Sequence, residues 1–262
     1  MSFVRVNGIR IHYERRGTGF PLLIIPGIAA TVSDCQPLVD GLCDAFDVIA
    51  YDNRGVGASD RPDEPYSMPL LASDAAGLLR ALRIERAHVL GFSMGGMIAQ
   101  QLALDVPTIV ARLVLACTHA GTPSAIRPAR EVARAFQLPT EDWAERMRVL
   151  AGYAFAPSFA TRQPERYAAI VRKKSNDVQP FYAYRRQVEA TLTHDSADRL
   201  PAITAPTLVI TGAEDAIIPA ANSRVLAGRI PRARLVIVGG AGHLFFIERP
   251  AETLGALRAF FG

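Results

Sequence analysis

Residues 88–98 read His88-Val89-Leu90-Gly91-Phe92-Ser93-Met94-Gly95-Gly96-Met97-Ile98. His88 to Phe92 is a short apolar run of the length of a buried strand, and Met97 to Leu104 repeats apolar residues at helical spacing. Between them stands Gly-x-Ser-x-Gly, the pattern of a sharp strand-to-helix turn that holds a serine hydroxyl out at the end of a sheet. Glycines at 91 and 95 let neighbouring backbone come close to such a strained turn. Without its strand and helix the pentapeptide would be an ordinary glycine-rich turn. With them it makes Ser93 a candidate nucleophile.

The same rhythm extends in both directions. Ile9 to Glu14 alternates apolar and polar residues as a half-buried strand does. Leu22 to Ile25, Val48 to Tyr51, Leu113 to Cys117, Thr207 to Thr211 and Leu235 to Val238 are apolar runs of buried-strand type. Met68 to Leu82, Asn222 to Arg229 and Pro250 to Phe261 read as helices. Strand alternating with helix implies an α/β fold, a mostly parallel central sheet with helices on both faces. Ligands of such folds bind at the carboxyl ends of the strands.

The rhythm breaks between Pro123 and about Arg199. No strand is expected there, and helices are expected over Pro128 to Gln137, Glu141 to Tyr153, Pro164 to Lys174 and Pro180 to Thr193, with Thr140 as an N-cap. This reads as a helical insertion over the sheet. The expected division is a core of residues 1–121 and 200–262 and an insertion of residues 122–199.

A chain of 262 residues with 50% hydrophobic and 21% charged residues is long enough to bury a core without disulfides or metals. Its three cysteines, Cys35, Cys43 and Cys117, have no metal-binding or redox spacing. No apolar run reaches the roughly 18–20 residues of a membrane span, and the N-terminus lacks a signal-peptide core. A cytoplasmic protein, monomeric or homodimeric, without membrane or nucleic-acid partners, is expected. The net charge of +4 is mild, but residues 122–200 hold 13 basic and 9 acidic residues, so the surplus lies wholly in the insertion.

A serine hydroxyl needs a base that a third group orients. His243 follows Gly239-Gly240-Ala241-Gly242 just past the strand ending at Val238, on a loop free to turn its imidazole toward Ser93. His119, also beyond a strand end, is the rival base and a candidate pocket-lining residue. His12 is expected to face solvent, and His88 sits at the far end of its strand. The orienting acid should lie between Ser93 and His243 in the chain. Asp215, after Gly212-Ala213-Glu214, is the candidate, with Glu214 its neighbour and rival. Two backbone amides should receive the oxyanion: that of Met94, directly after the nucleophile, and that of Ile28 in Pro26-Gly27-Ile28.

Together these residues resemble the α/β-hydrolase superfamily over nearly the whole chain outside the insertion. Asp52-Asn53-Arg54-Gly55-Val56-Gly57-Ala58-Ser59 is similar to its D-x-R-G-x-G-x-S turn. Gly242-His243 with Glu248-Arg249-Pro250 is similar to its histidine loop and last helix, and Ser93-Met94-Gly95-Gly96 to its carboxylesterases, 3-oxoadipate enol-lactonases and cofactor-free haloperoxidases. Where many members carry His-Gly, this chain has Pro26-Gly27. The resemblance makes the insertion a cap that roofs the substrate pocket. It implies a cofactor-free and metal-free serine hydrolase that cleaves a small ester or lactone through an acyl-enzyme. A perhydrolase, a tailoring enzyme (methylesterase, cyclase or lyase) and a ligand receptor built on the same scaffold are the alternatives.

For substrate binding the candidates are Gly27, His119 and Trp143. Tyr153, Phe155, Phe159, Tyr182 and Tyr184 either line the pocket or pack the cap onto the core. Arg127, Arg130, Arg134, Arg172, Lys173, Lys174, Arg185 and Arg186 either attract an acidic substrate or lie on solvated helix faces.

Overall fold

The computed structural model describes residues 1–262. Eight strands form one sheet: β1 (Ser2–Val6), β2 (Ile9–Arg16), β3 (Phe20–Ile25), β4 (Phe46–Tyr51), β5 (Ala87–Phe92), β6 (Val110–Ala116), β7 (Thr207–Gly212) and β8 (Ala233–Val238). Their order is β1-β2-β4-β3-β5-β6-β7-β8. The pairings of β1 with β2 and β2 with β4 are antiparallel; every other pairing is parallel.

The inner strands are buried on both faces, and side chains alternate across a strand. Each apolar run is therefore divided between two cores. Leu23, Ile25, Val89 and Leu113 face one side, where α2 (Met68–Ala81) and α3 (Met94–Asp105) pack. Leu22, Ile24, Leu90 and Val114 face the other, which holds Leu38 of α1 (Gln36–Leu42) and Leu257 near the carboxyl terminus. A lone amphipathic pattern would have left one face bare.

The strand reading misses β1, whose side chains are mostly exposed, and α1, seven residues being too few for a helical period to show. His12, expected to face solvent, is instead buried, with Nδ1 2.8 Å from Asp52 Oδ2. Alternation puts His12 on the face opposite Ile9 and Ile11, and it is buried there against Asp52. Asp52 also accepts from the N–H groups of Val32 and Ala58, so one carboxylate ties together three segments. Arg54 is buried as well, and donates to Asp74 at 2.8 and 3.1 Å.

Between β6 and β7 the chain leaves the sheet for α4 (Arg130–Phe136), α5 (Trp143–Ala154), α6 (Pro157–Arg162), α7 (Pro164–Asn176) and α8 (Phe181–Leu192). The N-cap of α5 is Asp142, whose side chain accepts from Glu145 N–H, rather than Thr140. The excursion begins and ends at a narrow neck. Gly121 bridges Asp195, Thr122 N–H donates to the His194 carbonyl, and Ser196 N–H to that of Ala120. The core resumes through β7, α9 (Ala221–Arg229), β8, the short α10 (Phe245–Glu248) and α11 (Pro250–Phe261). No helix is long and apolar enough to cross a membrane.

Candidate active site

Ser93 occupies the turn between β5 and α3 at φ 57°, ψ −125°, far from the angles any ordinary L-residue prefers. The turn is over-determined from all sides. A Cβ on Gly91 would fall onto the Gly95 carbonyl oxygen, and one on Gly95 onto that of Ile25. Ser93 N–H donates to the Ala116 carbonyl at 2.9 Å, which anchors the turn to β6. The serine is half-buried and open to a cavity.

His243 and Asp215 arrive on adjacent loops. Ala213 N–H donates to the Val238 carbonyl and Glu214 N–H to that of Ala241, both at 2.9 Å, so the loops after β7 and β8 run side by side. Asp215 Oδ1 accepts from Ile217 and Ile218 N–H at 2.9 and 2.8 Å, and its Oδ2 lies 2.8 Å from His243 Nδ1. Both residues are buried, while Glu214 is exposed. An ionised carboxylate only accepts, so Nδ1 is the protonated nitrogen and Nε2 carries a free lone pair. Ser93 and His243 line the same cavity.

On the opposite side lies the loop after β3. A Cβ on Gly27 would stand 3.0 Å from Ser93 Cβ and 3.5 Å from its Oγ. No group of the chain accepts a hydrogen bond from Ile28 N–H or Met94 N–H. Pro26 brings no donor of its own, and its carbonyl accepts from Asn53 Nδ2 at 2.9 Å.

The cavity holds about 170 Å³, and 17 of its 22 lining residues are hydrophobic. The insertion contributes Phe136, Leu150, Phe155, Ile170 and Tyr184 to its walls. Gly27 lines it as expected; His119 and Trp143 do not. Trp143 instead packs edge-on against Tyr184, with its indole N–H donating to the Lys174 carbonyl at 3.0 Å. The Nδ1 of His119 accepts from Gly121 N–H at 3.1 Å, burial pushes its pKa down to about 4, and no carboxylate orients it. It is thus a neutral prop of the neck. Of the eight basic residues singled out in the insertion, only Lys174 lines the cavity. Its ammonium lies 2.6 Å from Asp34 Oδ2. Burial alone would raise the Asp34 pKa; the charge and hydrogen bond of Lys174, with Lys173 beyond it, hold it below the usual carboxylate value. The arginines of α8 pair with Asp63 and Glu189 on the outside.

Two neighbours of the site lie outside the residues that the sequence reading assigned to it. Cys117 is buried so that its sulfur and the nearest atoms of Asp215 and His243 all lie within 4.8 Å of one another. Burial first, and Asp215 second, push its thiol pKa far up, and a neutral thiol is a poor metal ligand. The Asp215–His243 bond already occupies the other two donors. Glu248 is the second neighbour. Its buried carboxylate accepts from Gly242 N–H at 2.7 Å and from Ala156 N–H at 3.2 Å, linking the histidine loop to the insertion.

A model of the alpha/beta hydrolase fold family matches residues 21–250, and the chain belongs to that family and is an enzyme. It is 36% identical to the poly(3-hydroxyalkanoate) depolymerase of Ectopseudomonas oleovorans over 242 residues, which cover 90% of this chain and 82% of that one. A hydrolase from Pseudomonas aeruginosa PA01 superposes with a TM-score of 0.89 at 32% identity, covering 100% of this chain and 98% of that one. The enol-lactonase from Burkholderia xenovorans LB400 superposes with a TM-score of 0.88 at 29% identity, covering 99% of each chain.

Proposed function

We propose that the chain is a serine hydrolase that cleaves a carboxylic ester or lactone of a small, neutral, largely apolar molecule, with the helical insertion as its cap. One observation carries this reading: a serine on a strained elbow and a histidine already bonded to a buried aspartate open onto one apolar cavity. His243 Nε2 takes the proton of Ser93 as its oxygen attacks the carbonyl carbon, and the N–H groups of Ile28 and Met94 receive the oxyanion. The imidazolium, stabilised by Asp215, returns the proton to the leaving alkoxide. Water then attacks the acyl-enzyme with His243 again as base.

The walls argue for the substrate class. The only full charges on them, Asp34 and Lys174, neutralise each other. A dry apolar cavity of roughly 150 Å³ accepts a benzene ring, so 170 Å³ suits an acyl group of about that size. The names of the depolymerase and the enol-lactonase, an ester-cleaving and a lactone-cleaving protein, agree with this chemistry. The test is initial-rate hydrolysis of p-nitrophenyl acetate, butyrate and benzoate by the wild type and by Ser93→Ala. The expected result is wild-type turnover that favours the larger acyl groups and is abolished in the variant. Turnover that survives Ser93→Ala would sink the proposal.

A further inference from the structure

Both polar groups of the Ala29 backbone are gripped by side chains of the helical insertion. Gln187, on α8, is fully buried; its Oε1 accepts from Ala29 N–H at 2.8 Å, and its Nε2 donates to the Arg54 carbonyl at 3.1 Å. Lys174, on α7, donates to the Ala29 carbonyl at 2.6 Å while it is held by Asp34. Ala29 has φ 54°, a left-handed conformation that an alanine leaves unless its surroundings enforce it. It directly follows Ile28, whose free N–H the acyl-transfer mechanism uses.

On the other side of Ile28 the loop is held by the core, through Asn53 Nδ2 to the Pro26 carbonyl, and Ala30 N–H closes a turn onto the Gly27 carbonyl at 3.3 Å. Ile28 is thus bracketed, with its upstream side set by the core and its downstream side set by the insertion. Gln187 is itself held at its other end, where it donates to the backbone carbonyl of Arg54, whose buried guanidinium is paired with Asp74.

We infer that Gln187, assisted by Lys174, is a positioning residue for the oxyanion loop: the docked insertion holds Ala29 in its left-handed conformation and so aims the Ile28 amide. This rests on the acyl-transfer reading and adds to it a requirement that the roof be seated for the oxyanion site to exist. Without Gln187 the Ala29 backbone can relax from its left-handed conformation, and the Gly27–Ala30 turn that carries the Ile28 N–H shifts with it. Substrate binding in the apolar cavity does not use that amide, so the loss falls on the transition state.

The experiment compares wild type, Gln187→Leu and Gln187→Glu, using p-nitrophenyl butyrate as substrate and phenylboronic acid as inhibitor. The boron accepts a lone pair from Ser93 Oγ as the serine proton passes to His243, and one boron oxygen takes the oxyanion position. Losing an oxyanion donor outright costs about 10²–10³ in kcat, so misaiming one is expected to cost about ten-fold or more. In Gln187→Leu, kcat is expected to fall by that factor, the boronate Ki to rise by about the same factor, and KM to stay within about two-fold. Gln187→Glu keeps an oxygen at Ala29 N–H, and burial favours its protonated form, whose O–H reaches the Arg54 carbonyl; it is expected to recover most of the loss. Unchanged kcat and Ki with a lowered melting temperature would overturn the inference and leave Gln187 a structural bond. Should Gln187→Leu fail to fold, Lys174→Met decides by the same readouts: a parallel drop in kcat and boronate affinity supports the inference, and wild-type values overturn it. Absence of Ser93-dependent turnover in the wild type is a different result, and it overturns the acyl-transfer reading instead.

Discussion

Replacing Asp215 by Asn keeps size and shape and changes only which atoms carry hydrogen. At this position the consequence follows from three bonds. Two N–H groups, those of Ile217 and Ile218, converge on Oδ1, and His243 Nδ1 meets Oδ2. In Asp215→Asn the amide oxygen must face the two N–H groups, since an NH2 there would confront two donors. The new NH2 then faces His243 Nδ1, which must give up its proton. The ring proton moves to Nε2, the atom that has to receive the proton of Ser93. Restoring the working tautomer would mean flipping the amide and leaving two buried N–H groups unpaired, at about 1–3 kcal/mol each. A penalty of about 4 kcal/mol corresponds to three decades in rate, and the Ser-His-Asp template loses about 10⁴ through the same change. The expected outcome is therefore a kcat for p-nitrophenyl butyrate lower by about 10³–10⁴, with a native circular dichroism spectrum and a nearly unchanged KM. A variant within ten-fold of the wild type would refute the assignment of Asp215 as the group that sets the tautomer.

Three further outcomes are expected. Ala151 lines the cavity from α5, so Ala151→Phe should lower kcat/KM for the benzoate ester by about 10–200-fold while leaving the acetate ester near its wild-type value, as paired initial-rate assays would show. Gly95→Ala, which drives a Cβ onto the Ile25 carbonyl, should lower the urea midpoint severely or abolish soluble expression, whereas Gly255→Ala, in the exposed interior of α11 with open space around it, should stabilise by about 0.5–1 kcal/mol. Burial lowers the pKa of His88, His119 and His194 to about 4 each, with Arg112 adding to the effect on His88 and His119 to that on His194. The unfolded chain, with its histidines near 6.5, then binds more protons than the native one between pH 6.5 and 4, so stability should fall as pH drops through that window and His88→Leu should flatten the slope by up to one proton. A denaturation midpoint independent of pH there would contradict the burial of these rings.

The parts of the fold that were legible are those in which one residue type has only one place to go. Leu22 to Ile25 and Val48 to Tyr51 read as strands buried on both faces, and Gly91 and Gly95 mark a turn where a Cβ cannot stand. The candidate site was legible for a related reason. Asp215 and His243 follow strand ends, where a parallel sheet gathers its loops whatever lies between them in sequence. What stayed hidden depends on the partner. Gln187 meets Ala29 across 158 positions, and a glutamine on a helix reads as a solvated surface residue until the helix is docked. His12 reads as outward-facing because Asp52 lies in another segment. Trp143 and His119 fall in the right neighbourhood, but the direction of a side chain depends on rotamer and packing, which spacing does not carry. The basic surplus of residues 122–200 misleads in the same way, since Lys174, its only member on the cavity wall, is paired with Asp34, while Arg185 and Arg186 pair with Asp63 and Glu189 outside.

The neck at Gly121 and Asp195 gives the molecule a modular seam. Because the insertion leaves and rejoins the core at bridged residues, its length and sequence can change without altering the spacing of β6 and β7. An exchange of roofs between relatives is therefore geometrically easy at this seam. It is not chemically free, because a transplanted roof has to bring its own counterparts of Gln187 and Lys174 to Ala29. A chimera joined cleanly at the neck but lacking those two contacts would fold around a new pocket with the loop after β3 held from the core side only, through Asn53 and the Pro26 carbonyl.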